Sequence, residues 1–136
     1  QMLHVVPVDP DTQLMKAMKA GAIGLKRGRI LNIYPEGERA YDGELHKFKK
    51  GAAILATELE LPIVPVAMDG LYKVWARRTM RIRPAKVKIQ IGTPFYSSDI
   101  LQNGNDQPSR TDEQEYELVT DHLKQTIARM IDGMRK

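Results

Sequence analysis

Short apolar runs alternate along this chain with segments of helical period, and that alternation restricts the fold more than any single residue does. Residues 3–8 read as a buried strand that stops at Asp9-Pro10. Asp11 or Thr12 can then cap a helix, because Leu14, Met18, Ala22 and Leu25 follow at helical spacing. Lys26, Arg27 and Gly28 supply a basic last turn and a glycine stop. Residues 29–34 read as a second strand, 35–48 as a polar loop and 49–60 as a second helix. A third strand covers 61–68, with Pro62 and Pro65 marking its start and an irregular or edge position. Residues 70–83 show no clear period, 87–91 alternate as a fourth strand, and 100–110 read as a polar surface loop. Thr111 or Asp112 then caps a long helix whose Tyr116, Val119, Leu123, Ile127, Met130 and Met134 form one apolar stripe, read as core. This order predicts an α/β fold, a mostly parallel sheet flanked by helices, with ligands at the C-terminal ends of the strands. No internal repeat or boundary divides it, so residues 1–136 are expected to form a single domain.

Composition narrows the function. A chain of 136 residues with 42% hydrophobic content can bury one core. The absence of cysteine excludes disulfides and thiolate metal sites, and His4, His46 and His122 lack metal-ligand spacing. No metal or resident cofactor is expected. The formal charge of +4 suits phosphorylated substrates or anionic surfaces, although a solvated basic face accounts for it equally well. No apolar run reaches the roughly 18 residues of a spanning helix, and no signal peptide is visible. The expected location is cytoplasmic, or peripheral at the cytoplasmic face of a membrane. The chain opens Gln1-Met2-Leu3-His4, almost directly in a strand-like run, and reads as a fragment truncated at its N-terminus.

Chemistry concentrates in Tyr34-Pro35-Glu36-Gly37-Glu38-Arg39, at the expected end of the second strand. Pro35 stiffens the exit, Gly37 lets backbone amides approach a ligand, and Arg39 offers a planar fork matched to phosphate. Glu36 can hold that arginine or a substrate hydroxyl. A plain turn with a surface ion pair fits the same residues.

The segment resembles the Phe-Pro-Glu-Gly-Thr-Arg block of the 1-acylglycerol-3-phosphate and glycerol-3-phosphate acyltransferases. Tyr41-Asp42-Gly43-Glu44-Leu45 and Phe48-Lys49-Lys50-Gly51-Ala52 resemble that family's Asp-Gly turn and Phe-Lys-x-Gly helix start, and Leu61-Pro62-Ile63-Val64-Pro65-Val66 its Pro-Ile-Val-Pro-Val strand. The resemblance covers residues 28–70. Glu38 replaces the family's threonine and Ala40 the serine that usually follows its arginine. The resemblance implies a glycerolipid-acyltransferase-like fold, of which this chain is the C-terminal part. It implies that Glu36, Gly37 and Arg39 bind the acceptor's phosphate, that Pro35 shapes the loop, and that Pro62 and Pro65 belong to the strand associated with the acyl donor. Ordinary strand-edge shaping by the two prolines remains open.

The implied reaction moves an acyl group from acyl-CoA or acyl-ACP, as substrate, to the hydroxyl of lysophosphatidate or a related glycerophosphate. It needs a His-x4-Asp block whose histidine takes the hydroxyl proton. His4 and Asp9 match formally, but on a strand they face opposite sides about 17 Å apart. No convincing catalytic pair is therefore present, and the fragment alone is expected to be inactive. The alternative is a non-catalytic module that binds phosphate or anionic lipid. Lys73, Arg77, Arg78, Arg81, Arg83, Lys86 and Lys88, beside Tyr72 and Trp75, form a basic run. It reads first as solvated surface, then as a membrane-facing patch, then as a donor-phosphate site. No helix-turn-helix, zinc-finger or RNA-binding aromatic motif is present, so no nucleic-acid partner is expected.

Overall fold

The structure is a computed structural model that describes residues 14–38, 42–75, 81–102 and 110–136. The expected first strand, the Asp11 or Thr12 cap, His4, Asp9, Arg39, Arg77 and Arg78 lie outside the described residues. Two compact units divide the chain, Gln1–Ile33 and Tyr34–Lys136.

In the first unit, α1 (Leu14–Lys26) follows the helical spacing of its apolar residues. It ends as the sequence predicts. Gly28 takes φ +71°, its N–H donates to the Leu25 carbonyl at 2.9 Å, and the Arg29 N–H returns to the Gly24 carbonyl at 3.1 Å. That paired closure satisfies two of the carbonyls a helix end leaves open. The expected strand at 29–34 has no ladder partner among the described residues, and Ile30 is 98% exposed. Its period was legible, but a strand exists only when a neighbour accepts its backbone bonds.

The second unit is built on α5 (Asp112–Arg135). Thr111 starts it: its hydroxyl accepts from the Gln114 N–H, and the Gln114 side chain accepts from the Thr111 N–H at 3.0 Å. Such a reciprocal cap contributes about 1 kcal/mol. Val119, Leu123, Ile127 and Met130 of the expected stripe are buried, joined by Thr120 and Ile131. Against them pack Phe48, Ala67 and α2 (Gly51–Glu58), which buries Ala53 and Ala56.

β1 (Val66–Asp69) pairs with β2 (Lys88–Ile91) in antiparallel register, Val66 opposite Ile91 and Asp69 opposite Lys88. An isolated antiparallel bridge, Ile63 to Phe95, extends the pairing beyond Pro65. The parallel sheet expected from the alternation does not form among the described residues. Among the described residues, the 18-residue link between β1 and β2 carries the one-turn α3 (Leu71–Val74), and a parallel return needs a full crossover. The third strand is shorter than 61–68 because its prolines cannot donate to a ladder. Pro65 accepts from the Gly92 N–H at 2.8 Å and pairing becomes regular at Val66. α4 (Ser97–Leu101) takes the first residues of the stretch read as loop, with the Asp99 carboxylate accepting from the Tyr96 N–H at 2.9 Å.

Ala67 faces α5, while Val66, Ile89 and Ile91 line the opposite face of the ladder and are exposed. No helix among the described residues is long and apolar enough to cross a membrane.

Gly70 closes β1 with φ +94°, and a Cβ there would collide with the Lys86 carbonyl oxygen. Gly70→Ala therefore combines a left-handed conformation, costing on the order of 1–3 kcal/mol, with a backbone clash. Urea unfolding should show a loss at the top of that range or beyond. A loss below about 0.5 kcal/mol would mean the 70–87 link is free to shift.

Candidate functional site

Residues 34–38 and 42–49 form one closed loop whose two ends are tied together. The Gly37 N–H donates to the Tyr34 carbonyl at 3.0 Å, folding residues 34–37 into a turn that continues through Gly37 at φ +74°. The Pro35 carbonyl accepts from the Lys49 N–H at 2.7 Å, joining the turn to the residue two places before α2. Glu36 spends one carboxylate oxygen, Oε2, on the His46 N–H at 3.0 Å. The sequence offered Glu36 as a holder of the arginine or of a substrate hydroxyl; its observed partner is the His46 amide in the returning segment of its own loop.

Within the returning segment, His46 Nε2 lies 3.0 Å from Asp42 Oδ1. The Glu44 N–H, 3.0 Å from the same oxygen, holds the Asp42 carboxyl below its ordinary range, and the imidazole adds to the effect. This His–Asp contact escaped the sequence reading because its spacing is four and its order is Asp before His, the reverse of the family block.

A second tie comes from the far end of α5. Arg135 donates from Nη2 to the Gly43 carbonyl at 2.7 Å, from Nη1 to Glu44 at 3.3 Å and from Nε to Asp69 at 3.1 Å. One guanidinium thus fixes the Asp42-Gly43-Glu44 turn against the end of β1. The Tyr72 ring lies over Gly43, 3.4 Å from where a Cβ would start. No sequence signal marks this arrangement, since Arg135 and Gly43 are 92 residues apart.

The other expected site residues fall into separate places. Pro65 is fully buried, beneath Gly92, and Pro62 is exposed. Glu38, which replaces the family's threonine, is exposed. His122 stacks edge-on against Phe95 with ring centroids 4.8 Å apart, as part of the α5 face. No cluster of His, Asp and Glu suited to a metal is found among the described residues.

Comparison with known proteins gives this loop a setting. The chain superposes on the crystal structure of the 1-acyl-sn-glycerophosphate acyltransferase PlsC from Thermotoga maritima with a TM-score of 0.71, over 88% of this chain and 44% of that one, at 22% identity. The fold is therefore that of a glycerophosphate acyltransferase. The family model described as Acyltransferase matches residues 1–69, and the chain belongs to that family. It is 31% identical over 91 residues to a 1-acyl-sn-glycerol-3-phosphate acyltransferase of Cocos nucifera, covering 67% of this chain and 30% of that protein. It is 32% identical over 100 residues to one of Pseudomonas aeruginosa, covering 71% and 38%. The chain thus spans about a third of the length of the curated relatives it matches.

Arg135→Ala should free the turn without unfolding the unit, since partly exposed ion pairs contribute about 1 kcal/mol or less each. Amide exchange at residues 43–46 should quicken while the midpoint of global unfolding barely moves. Unchanged exchange at His46 would show that the Glu36 tie suffices alone.

Proposed function

We propose that this chain forms the acceptor-phosphate part of an O-acyltransferase site, serving transfer from acyl-CoA or acyl-ACP to the hydroxyl of 1-acylglycerol 3-phosphate or a related glycerophosphate. The observation that carries the reading is the turn at Gly37, pinned from both sides by the Lys49 and His46 amides, in a member of the acyltransferase family. A turn already pinned at Gly37 loses little further freedom when a ligand binds there. The names of the relatives support lysophosphatidate as acceptor.

In the reaction, the acceptor oxygen attacks the thioester carbonyl, the carbon–sulfur bond breaks, and the hydroxyl proton passes through a base to the leaving thiolate. Residues 34–49 orient the acceptor; they do not supply the base. Asp42–His46 acts as a staple of the returning loop, and His122 is committed to Phe95. Base chemistry requires a His–Asp pair, and His4 and Asp9 would face opposite sides of the expected strand. No metal enters this scheme.

A non-catalytic role in binding anionic lipid is the second reading. Leu71, Tyr72, Trp75 and Ile82 are exposed, Lys73 and Arg81 lie among them in sequence, and Arg83 and Lys86 follow. Aromatic and basic residues together suit an anionic membrane surface, which also supports a peripheral location for the acyltransferase reading.

The purified chain given acyl-CoA and lysophosphatidate should release no coenzyme A. Turnover that disappears in His4→Ala would reinstate His4 and Asp9 as the base. In an active protein containing this sequence, Arg39→Ala should weaken use of phosphorylated acceptors by about 1.5–3 kcal/mol. Arg39→Lys should fail nearly as badly because the fork is lost. Phosphate-free acceptors should be affected much less, and equal harm to both would make Arg39 structural.

A further inference from the structure

We infer that Lys49 is a second phosphate-binding cation of this site, acting on the acceptor's phosphate together with Arg39; the inference rests on the phosphate reading of the 35–39 loop. Two lysines stand side by side before α2 and are put to different uses. Lys50 turns toward α5, with its Nζ 2.5 Å from Glu113 and 3.8 Å from Glu117. Lys49 turns to the loop. Its Cε and Nζ each lie 3.0 Å from the point where a Cβ on Gly37 would begin.

The placement is fixed at the root of the side chain, because the Lys49 N–H is bonded to the Pro35 carbonyl. Its tip is exposed and has no ion pair or hydrogen bond among the described residues. Lys50, one residue on, has both. Of the acidic groups in the loop, Glu36 accepts from the His46 amide, Asp42 from the Glu44 amide and the His46 ring, and Glu44 pairs with Arg135, while Glu38 is exposed beside Gly37 and makes no ion pair with Lys49. An ammonium with three donors therefore sits at the bend of the loop with its charge unspent. Gly37 is favoured by its φ of +74°, and the end of the Lys49 side chain lies in the space beside it. The chemistry is that of a phosphate monoester, which both a glycerophosphate acceptor and coenzyme A carry.

The test is an NMR titration of the 136-residue chain with glycerol 3-phosphate, glycerol and coenzyme A, for wild type, Lys49→Ala, Lys49→Arg and Arg39→Ala. Glycerol 3-phosphate should shift the Gly37 and Lys49 amides, and glycerol should not. Lys49→Ala should raise the dissociation constant roughly tenfold to a hundredfold. Lys49→Arg should recover most of the affinity, and α5 amides should stay in place in every variant. Coenzyme A binding should be indifferent to residue 49. If Lys49→Ala binds glycerol 3-phosphate as wild type does while Arg39→Ala loses it, the loop reading survives and the role of Lys49 falls. If neither variant weakens binding, or wild type shows no phosphate-dependent shift, both fall. Weakening by Lys49→Ala that is confined to coenzyme A, or equal for both ligands, overturns assignment of the cation to the acceptor.

Discussion

Burial of the Val119, Leu123, Ile127 and Met130 stripe is the contact on which the second unit depends. β1, α2 and α4 each pack on α5, and β2 is held through its ladder with β1 and through Lys88, whose ammonium donates to the Met134 carbonyl. Side chains of this size contribute about 1.5–3 kcal/mol each on full burial, more than any polar contact in the unit. Ala67 on β1 and Ala53 and Ala56 on α2 are small where they meet the stripe, which allows close approach of the backbones. Gly92 serves the same end, since a Cβ there would stand 2.9 Å from Pro65 and 3.1 Å from the Met130 sulfur.

The loop at 34–49 inherits its position from that core. Phe48 is buried in the cluster, so the residue after it starts from a fixed point. Lys50 ties the entry of α2 to the first turns of α5, and Arg135 ties the middle of the loop to the last turn of the same helix. These are partly exposed pairs, each weak alone. Their effect is geometric: one helix holds the loop at two places, near its first turn at Glu113 and in its last turn at Arg135. The Glu36–His46 and Pro35–Lys49 bonds then close the remaining freedom from within.

What the sequence disclosed follows the range of the interactions concerned. The Gly28 stop, the Thr111 cap and the α5 stripe depend on residues within a few positions of one another, and each was legible. So was the 34–39 hexapeptide, whose resemblance pointed to the family shown by comparison, while its local chemistry alone fitted a plain turn equally well. The antiparallel direction of the β1–β2 ladder was not legible, because direction depends on the path between strands and residues 70–87 show no clear period. Arg135 and its three partners could not be found from spacing at all. The two faces presented by Lys49 and Lys50 were hidden for a different reason: neighbouring identical residues give no clue to which way each turns.

That division of labour between neighbours makes the loop sensitive to its length in a way its composition does not show. Phe48, Lys49 and Lys50 form a three-residue sequence of core, loop and α5 contacts, set by the phase at which the chain leaves the core. An insertion or deletion of one residue between the Arg135-held turn and Phe48 would leave every ion-pairing group present yet advance that phase by a step. Either Phe48 would leave the core or the connection would have to bulge to keep it there. Drift in this segment is therefore easier by substitution at exposed positions such as Lys47 than by change of length. The count of residues from Gly43 to Gly51 is itself part of the site.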